Sequence, residues 1–438
     1  MGRKSNRLCS IGLAFSALGL WASCGLAFSQ AAPTPPSRQI FYSNIKPLSD
    51  TTDPVQIDPR PTTTKGAFQA LDWLIYGNVS VGGTYDSNVF ASTNQQAVYG
   101  ARFQPSVVAE RNTGIQRTLV YGVGDVRYYP SIGRTDLYGS NGGAVHVWEI
   151  QRDLIFRNQF DIARTQQNSA LSGTGSSSYY VNPVNYTSLF GSTSIEKGFG
   201  RFFTAIGGSV TATTYDNTTD SLGNVIGEHF QDGSRTTLSG RLGYNITPIV
   251  YTFIEPSVNS GKFRAASLNS NGYRIAGGLG TARIRLFNGE IYGGTLTQHF
   301  SDPAVPTLTQ AVYGGRISWY PTRFVKVTGS FDQTLGTSDF SPSVFTAGSA
   351  TKVNTSKLLA NWAVRRDVTL EGSVEFRHYG YLSSSRLDDL SLFGFKTTYM
   401  FTETLGVTLD YSHVVLTSNY PGAAYTRNLV SVGATSKF

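Results

Sequence analysis

From Tyr76 to the end of the chain, apolar and polar residues trade places with a period of two. Thr236 to Ile246 sets Leu238, Leu242, Tyr244 and Ile246 against Arg235, Thr237, Ser239, Arg241 and Asn245. Val368, Leu370, Val374 and Phe376 alternate with Thr369, Glu371, Ser373, Glu375 and Arg377. Val325, Val327 and Phe331 alternate with Lys326, Thr328, Ser330 and Asp332. Leu405 to Tyr411 and Leu358 to Val364 repeat the habit, with Asp410 on the polar side of the first and Lys357 and Arg365 on that of the second. A period of two puts such sets on opposite faces of a strand. Around Phe202 to Ala212 and Glu290 to Phe300 the alternation is too poor to assign faces.

The alternating segments run 9 to 13 residues and are joined by short turns and long polar loops in turn. Short connections fall near Glu196 to Gly200, Thr247-Pro248, Leu286 to Gly289, Pro321-Thr322, Arg365 to Asp367 and Thr402 to Thr404. Long ones, rich in Ser, Thr, Asn and Gly, fall near Thr165 to Val181, Asp216 to Gly233, Ser301 to Thr309 and Gly336 to Lys352. A soluble sandwich also alternates. Strands of about ten residues with connections alternately short and long are the pattern of a transmembrane barrel. The expected fold is therefore all-β: an antiparallel up-and-down transmembrane β-barrel of 18 strands, with 16 as the alternative. Closure is expected because unpaired amides in lipid cost several kcal/mol each. Trp148, Tyr251, Trp319, Tyr320, Tyr399 and Phe401 fall near strand ends on the turn side, where aromatic girdles form. The last strand ends on Phe438, with Val430, Val432, Ala434 and Ser436 sharing its face. It resembles the closing strand of bacterial outer-membrane barrels, whose terminal aromatic is read by the barrel assembly machinery.

The N-terminus changes the compartment. Arg3, Lys4 and Arg7 precede an apolar run from Leu8 to Leu26, followed by small residues, which is the layout of a secretory signal peptide over 1–29. Cys9 and Cys24, the only cysteines, lie inside it, so the mature chain is expected to carry no disulfide. Cys24 as an acylated lipoprotein residue is the rival reading. Residues 30–70 are rich in Pro and Thr and read as a periplasmic extension or a plug, ahead of a barrel over 71–438. Removing the three basic residues takes the net charge from +8 to +5. In an exported protein that excess favours anionic solutes or polysaccharide over nucleic acid as partner.

Gly83-Thr84-Tyr85-Asp86-Ser87-Asn88-Val89 resembles the Gly-x-Tyr-Asp-x-Asn-Val segment near the first strand of the putative β-barrel porin 2 family. Ser318-Trp319-Tyr320-Pro321-Thr322-Arg323 is similar to that family's Trp-x-Pro-Thr-Arg turn, and Tyr425-Thr426-Arg427-Asn428 to its entry into the last strand. The resemblance covers Tyr76 to Phe438 and makes Tyr85, Asp86 and Asn88 the family motif. It implies an outer-membrane location in a Gram-negative cell. For the EpsL-like members of exopolysaccharide operons it implies a role in polysaccharide export, with periplasmic export components as partners. It brings no catalytic residues.

A barrel of 16 to 18 strands leaves an aqueous channel. The assigned faces turn Arg157, Arg235, Arg241, Arg274, Arg316, Lys326, Lys357, Arg365, Glu371, Glu375, Arg377, Lys396 and Asp410 inward. Arg102, Arg117, Arg127, Lys437, Asp125, Asp161, Glu255 and Asp332 join them, giving 14 basic against 7 acidic. Such a lining is expected to favour anions, unless the charges simply pair across strands. Tyr128, Tyr129, Tyr179, Tyr180, Tyr379 and Tyr381 flank the loops and could stack on sugar rings. The five histidines are dispersed, and neither a zinc-protease motif nor a nucleophile elbow is found. No enzyme, metal or cofactor is expected. The expected function is a porin-like channel for exopolysaccharide or anionic solutes. The alternative is a structural or adhesive outer-membrane protein with a plugged lumen.

Overall fold

The computed structural model describes residues 68–137, 140–166, 184–219, 224–284, 286–303, 305–337, 350–381 and 385–438. The signal segment, residues 30–67 of the extension, and Tyr179 and Tyr180 lie outside them. Eighteen strands form the wall. They are β1 (Trp73–Asp86), β2 (Val98–Asn112), β3 (Gln116–Val123), β4 (Ser140–Gln151), β5 (Leu154–Gln166), β6 (Asn185–Phe199), β7 (Phe202–Tyr215), β8 (Gly233–Asn245) and β9 (Val250–Phe263). The second half comprises β10 (Ser270–Ile284), β11 (Phe287–Phe300), β12 (Leu308–Thr322), β13 (Val325–Thr337), β14 (Ala350–Ala363), β15 (Val368–Tyr381), β16 (Leu387–Met400), β17 (Leu405–Ser418) and β18 (Tyr425–Lys437). Each pairs antiparallel with its sequence neighbours, and β18 pairs with β1 from Asn78↔Lys437 to Asp86↔Leu429. The ribbon is thereby closed.

Connections of two to four residues gather at one end with both ends of the wall, which makes that end periplasmic. Most strands span 12 to 15 residues, longer than the alternation predicts, because the ladder runs on into the polar segments at the loop end. Beyond β3, a break in strand geometry at Gly124-Asp125, without change of register, leads into a hairpin, Val126–Tyr129 with Arg134–Leu137, whose first arm pairs back on β2. At the opposite end Phe68–Ala70 folds under β1, Phe68 opposite Ile75.

The two faces separate as expected. Val81, Leu238, Leu242, Ile254, Leu358, Trp362, Phe376, Leu405, Val407 and Val432 are exposed on the outer face, while Thr237, Ser239, Arg241, Glu375, Arg377, Thr408 and Asp410 are buried on the inner. An apolar outer band is what lipid requires, since hydrocarbon offers polar groups no hydrogen bonds. The segments without clear alternation have a physical reason. On β7, Phe202 and Ile206 face out while Phe203 and Ala205 face in, so both faces are apolar. On β11, Ile291 faces out, whereas Tyr292 and Leu296 lie on the inner face. Phe203 lies across Gly243 of β8, where an added Cβ would come within 2.0 Å of its ring, and continues into Tyr251 and Phe253 of β9. This packing corrects the girdle: Trp148, Trp319, Tyr399 and Phe401 face out, but Tyr251 and Tyr320 face in and are buried.

Candidate functional site: the charged lumen and its rim

Inward positions on neighbouring strands stand about 5 Å apart, so long charged side chains meet across one strand or more. On β8 to β11, Arg241 Nε donates to Glu255 at 2.9 Å and its Nη1 to Glu290 at 2.9 Å. Arg274 pairs with the other oxygen of Glu255, and Tyr251 Oη donates to Glu290 at 3.0 Å. Arg241 also covers the Phe253 ring at 4.0 Å, a cation–π contact. On β2 and β17, Arg102 bridges Asp125 at 2.6 Å and Asp410 at 2.7 Å, although β1 and β18 stand between those strands. Arg127 shares Asp125 at 3.1 Å. On β14 to β16, Glu375 takes Arg377 and Lys357, the lysine at 3.3 Å, and Lys396 lies 4.0 Å from Asp410. Arg157 lies 3.9 Å from Glu196, whose two carboxylate oxygens have no hydrogen-bond partner.

Of the sequence-selected lining residues, Arg365 is a correction. It sits in the periplasmic turn after β14, largely exposed, and pairs with Asp367 at 2.7 Å. A turn residue follows no strand alternation, so its parity with Lys357 carries no information. Arg235, Arg316, Lys326 and Glu371 lie in inward register with the others. Lys326 reaches over the Tyr320 ring at 5.6 Å. Inward carboxylates that the sequence left unassigned are Glu110, Glu196, Glu290 and Asp86. They narrow the cationic excess, and Glu196 and Glu290 belong to a turn-side strand end and a non-alternating strand that gave no face.

What the lumen presents differs from what it contains. Lys357 has a side chain 34% exposed above Glu375 at 11%, and Arg157 one 26% exposed above Glu196 at 2%. On these strands the cation faces the opening and the carboxylate lies beneath it. Arg241 and Glu290 are reversed, so the lining is not uniformly basic. The β5 and β14 strands carrying Arg157 and Lys357 stand nine strands apart, halfway round the wall.

The tyrosines at the extracellular rim are engaged. Tyr379 and Tyr381 join Leu390, Leu392, Val414, Leu416 and Tyr425 in a buried cluster, and Tyr381 Oη donates to Asp388 at 2.8 Å. Tyr129 is wholly buried against Val89 and Val98, so of the four described tyrosines among the six expected to flank the loops only Tyr128 is exposed, on the outer side. They are therefore not the sugar-stacking surface the sequence suggested.

The motif Tyr85, Asp86, Asn88 meets Tyr425-Thr426-Arg427-Asn428 across the closing pair of strands. Arg427 Nε donates to both oxygens of Asp86, at 3.0 and 3.1 Å, and Nη2 to one of them. Asn88 Nδ2 donates to the Thr426 carbonyl at 3.1 Å and to that of Ser92 at 2.7 Å. Ser87 and Asn428 exchange a backbone bond of 2.9 Å and a bond from the Asn428 amide to Ser87 Oγ of 2.8 Å. Tyr85 faces outward onto Tyr99. Two segments 341 residues apart thus lock the first strand to the last.

A family model described as putative β-barrel porin 2 matches residues 62–438. The chain belongs to the putative β-barrel porin 2 family. This family member is an outer-membrane protein of the porin-like kind. Comparison with curated proteins finds no match. Among solved structures it is similar to a ferric enterobactin receptor (PfeA) mutant from Pseudomonas aeruginosa, at 7% identity over 83% of this chain and 80% of that one, TM-score 0.43. It is also similar to the outer-membrane channel DcaP of Acinetobacter baumannii, at 11% identity over 85% and 100%, TM-score 0.39. An anion-selective porin from Comamonas acidovorans matches at 10% identity over 84% and 99%, TM-score 0.32.

Proposed function

We propose that this barrel is a passive, non-catalytic channel that admits anionic solutes, with an acidic exopolysaccharide as the cargo to which its family resemblance points. The observation that supports it most is the layering of charge at Lys357 over Glu375 and Arg157 over Glu196, which turns cations toward the path on opposite walls. A charged ring in a narrow pore repels like-charged ions and admits the opposite sign. Export of a polymer would further require periplasmic components that deliver it, and insertion would require the barrel assembly machinery to read Val430, Val432, Ala434 and Phe438.

Planar-bilayer recording under a potassium chloride gradient tests the reading. The wild-type reversal potential is expected on the chloride side, and the Lys357→Glu, Arg157→Glu pair is expected to move it to the potassium side. Potassium preference in the wild type would overturn the proposal. Absence of conductance would favour a structural or adhesive protein whose packed ion pairs plug the lumen.

A further inference from the structure

The pairing between β12 and β13 stops half-way. Their register runs from Thr322↔Val325 to Gly314↔Asp332. Yet β12 continues to Leu308 against β11, and β13 to Thr337 against β14. Among the described residues, six of β12 and five of β13 therefore have a strand neighbour on one side only. The Ala363 amide donates to the Phe324 carbonyl at 2.9 Å, which fixes the even-numbered residues of β13 as those bonding toward β14. By alternation the odd-numbered ones, Gln333 and Leu335 among them, aim their amides and carbonyls at β12.

Side chains have taken over the missing rungs. The Leu335 carbonyl accepts from Arg235 Nη1 at 3.5 Å, although Arg235 belongs to β8, five strands away. With its amide oriented to satisfy its neighbours, Gln333 donates to the Ala311 carbonyl at 2.9 Å and accepts from Lys352 Nζ at 2.8 Å. Gln333 is 4% exposed although its register places it on the outer face, so it is tucked into the gap. At the boundary itself, Tyr313 of the unpaired stretch and Phe331 of the paired half pack ring to ring on the lipid side, 6.5 Å between centroids. The unpaired stretch thus begins at the upper edge of the apolar band. One cation stands on each side of it: Arg235 within, with no carboxylate in ion-pair distance among the described residues, and Lys352 on the outward register of β14.

We infer that the wall parts sideways between β12 and β13 at the level of the outer-leaflet headgroups, and that the parting admits an anionic membrane amphipath whose head is taken by Arg235. An aqueous pore needs no such breach, because a sheet edge facing hydrocarbon is costly unless something pairs it. Leu335 and Ala311 are held by side-chain donors that can be withdrawn without unfolding a strand. A guanidinium whose hydrogen bond is to one long-range carbonyl exchanges it readily for phosphate, which accepts in its fork geometry.

Nitroxide labels at Thr334→Cys and Ser330→Cys test the inference in nanodiscs. Both positions face inward, above and below the point where pairing stops. Relaxation by lipid-soluble oxygen relative to a water-soluble nickel chelate is expected to be at least about threefold higher at 334 than at 330. Dodecyl phosphate is expected to immobilise the label at 334 at concentrations where inorganic phosphate does not, and Arg235→Ala to abolish that effect. Equal oxygen access at both sites, or equal action of dodecyl and inorganic phosphate, would overturn it. The Arg235→Ala protein is checked for heat-modifiable migration, so that loss of the barrel is separated from loss of the site.

Discussion

Two seams of this barrel differ in how they are held. Where β18 meets β1, the backbone ladder runs the length of the contact. Its extracellular end is then overlaid by Arg427 on Asp86, Asn88 on Thr426 and Ser87 on Asn428. Where β12 meets β13, the ladder ends at Gly314↔Asp332, and single side chains stand in for the rest. The first seam joins the two most distant parts of the chain and forms last in sequence terms, so its loop-closure cost is the largest in the molecule. Extra side-chain bonds offset that cost where it is greatest. The second seam joins adjacent strands and can do with fewer.

The sharpest way to break the contrast is to remove one half of the buried pair. Arg427→Ala leaves Asp86 charged and buried, at a cost of about 3–5 kcal/mol. The heat-modification midpoint is expected to fall steeply, and the Asp86→Ala, Arg427→Ala double variant to lose less than the two single losses added together. Additive losses would mean the two residues do not act as a pair.

Amide exchange sharpens the same contrast. Peptides covering 308–313 and 333–337 are expected to exchange at least about tenfold faster than those covering 78–86 and 429–437, equivalent to about 1.4 kcal/mol of local opening. Equal protection would return the second seam to an ordinary pairing. Gln333→Ala removes two hydrogen bonds, one to the Ala311 carbonyl and one from Lys352, at a buried position, so it is expected to cost about 1–3 kcal/mol and to quicken exchange at 308–313 further.

The smallest effect belongs to a turn outside both seams. Lys197 donates to Asp153 at 2.8 Å, and that hydrogen bond holds the Asp153 carboxyl below its usual range. A depressed carboxyl adds stability above its unfolded value, near about 4, and loses it as pH falls through the lower folded value. The difference between wild type and Asp153→Asn is expected to be slight at pH 7 and to vanish in strong acid, as followed by urea titration.

The sequence made the wall legible because lipid outside and water inside impose one rule on every strand. It failed where that rule lapses. Phe203 and Tyr251 face inward to pack on one another and on Gly243, so their strands alternate poorly or mislead. Arg365 obeys parity only on paper, since a turn intervenes. The family motifs were visible, but their meeting was not: no local pattern tells Asp86 that its partner is Arg427. The halt at Gly314↔Asp332 left no trace either, because Tyr313, Ala311, Gln333 and Leu335 read as an uninterrupted strand pair.

Phe438 takes the last stretch of the β1 edge that is left to β18. Phe438 exchanges backbone bonds of 2.9 and 3.1 Å with Gly77, and an added Cβ on that glycine would meet its ring at 2.8 Å. Directly beneath, Phe68–Ala70 already holds the edge of β1 from Ile75 to Trp73. A purification handle or reporter fused after Phe438 would have to evict that hairpin or swing clear of the rim. An extracellular loop is the better place to attach one.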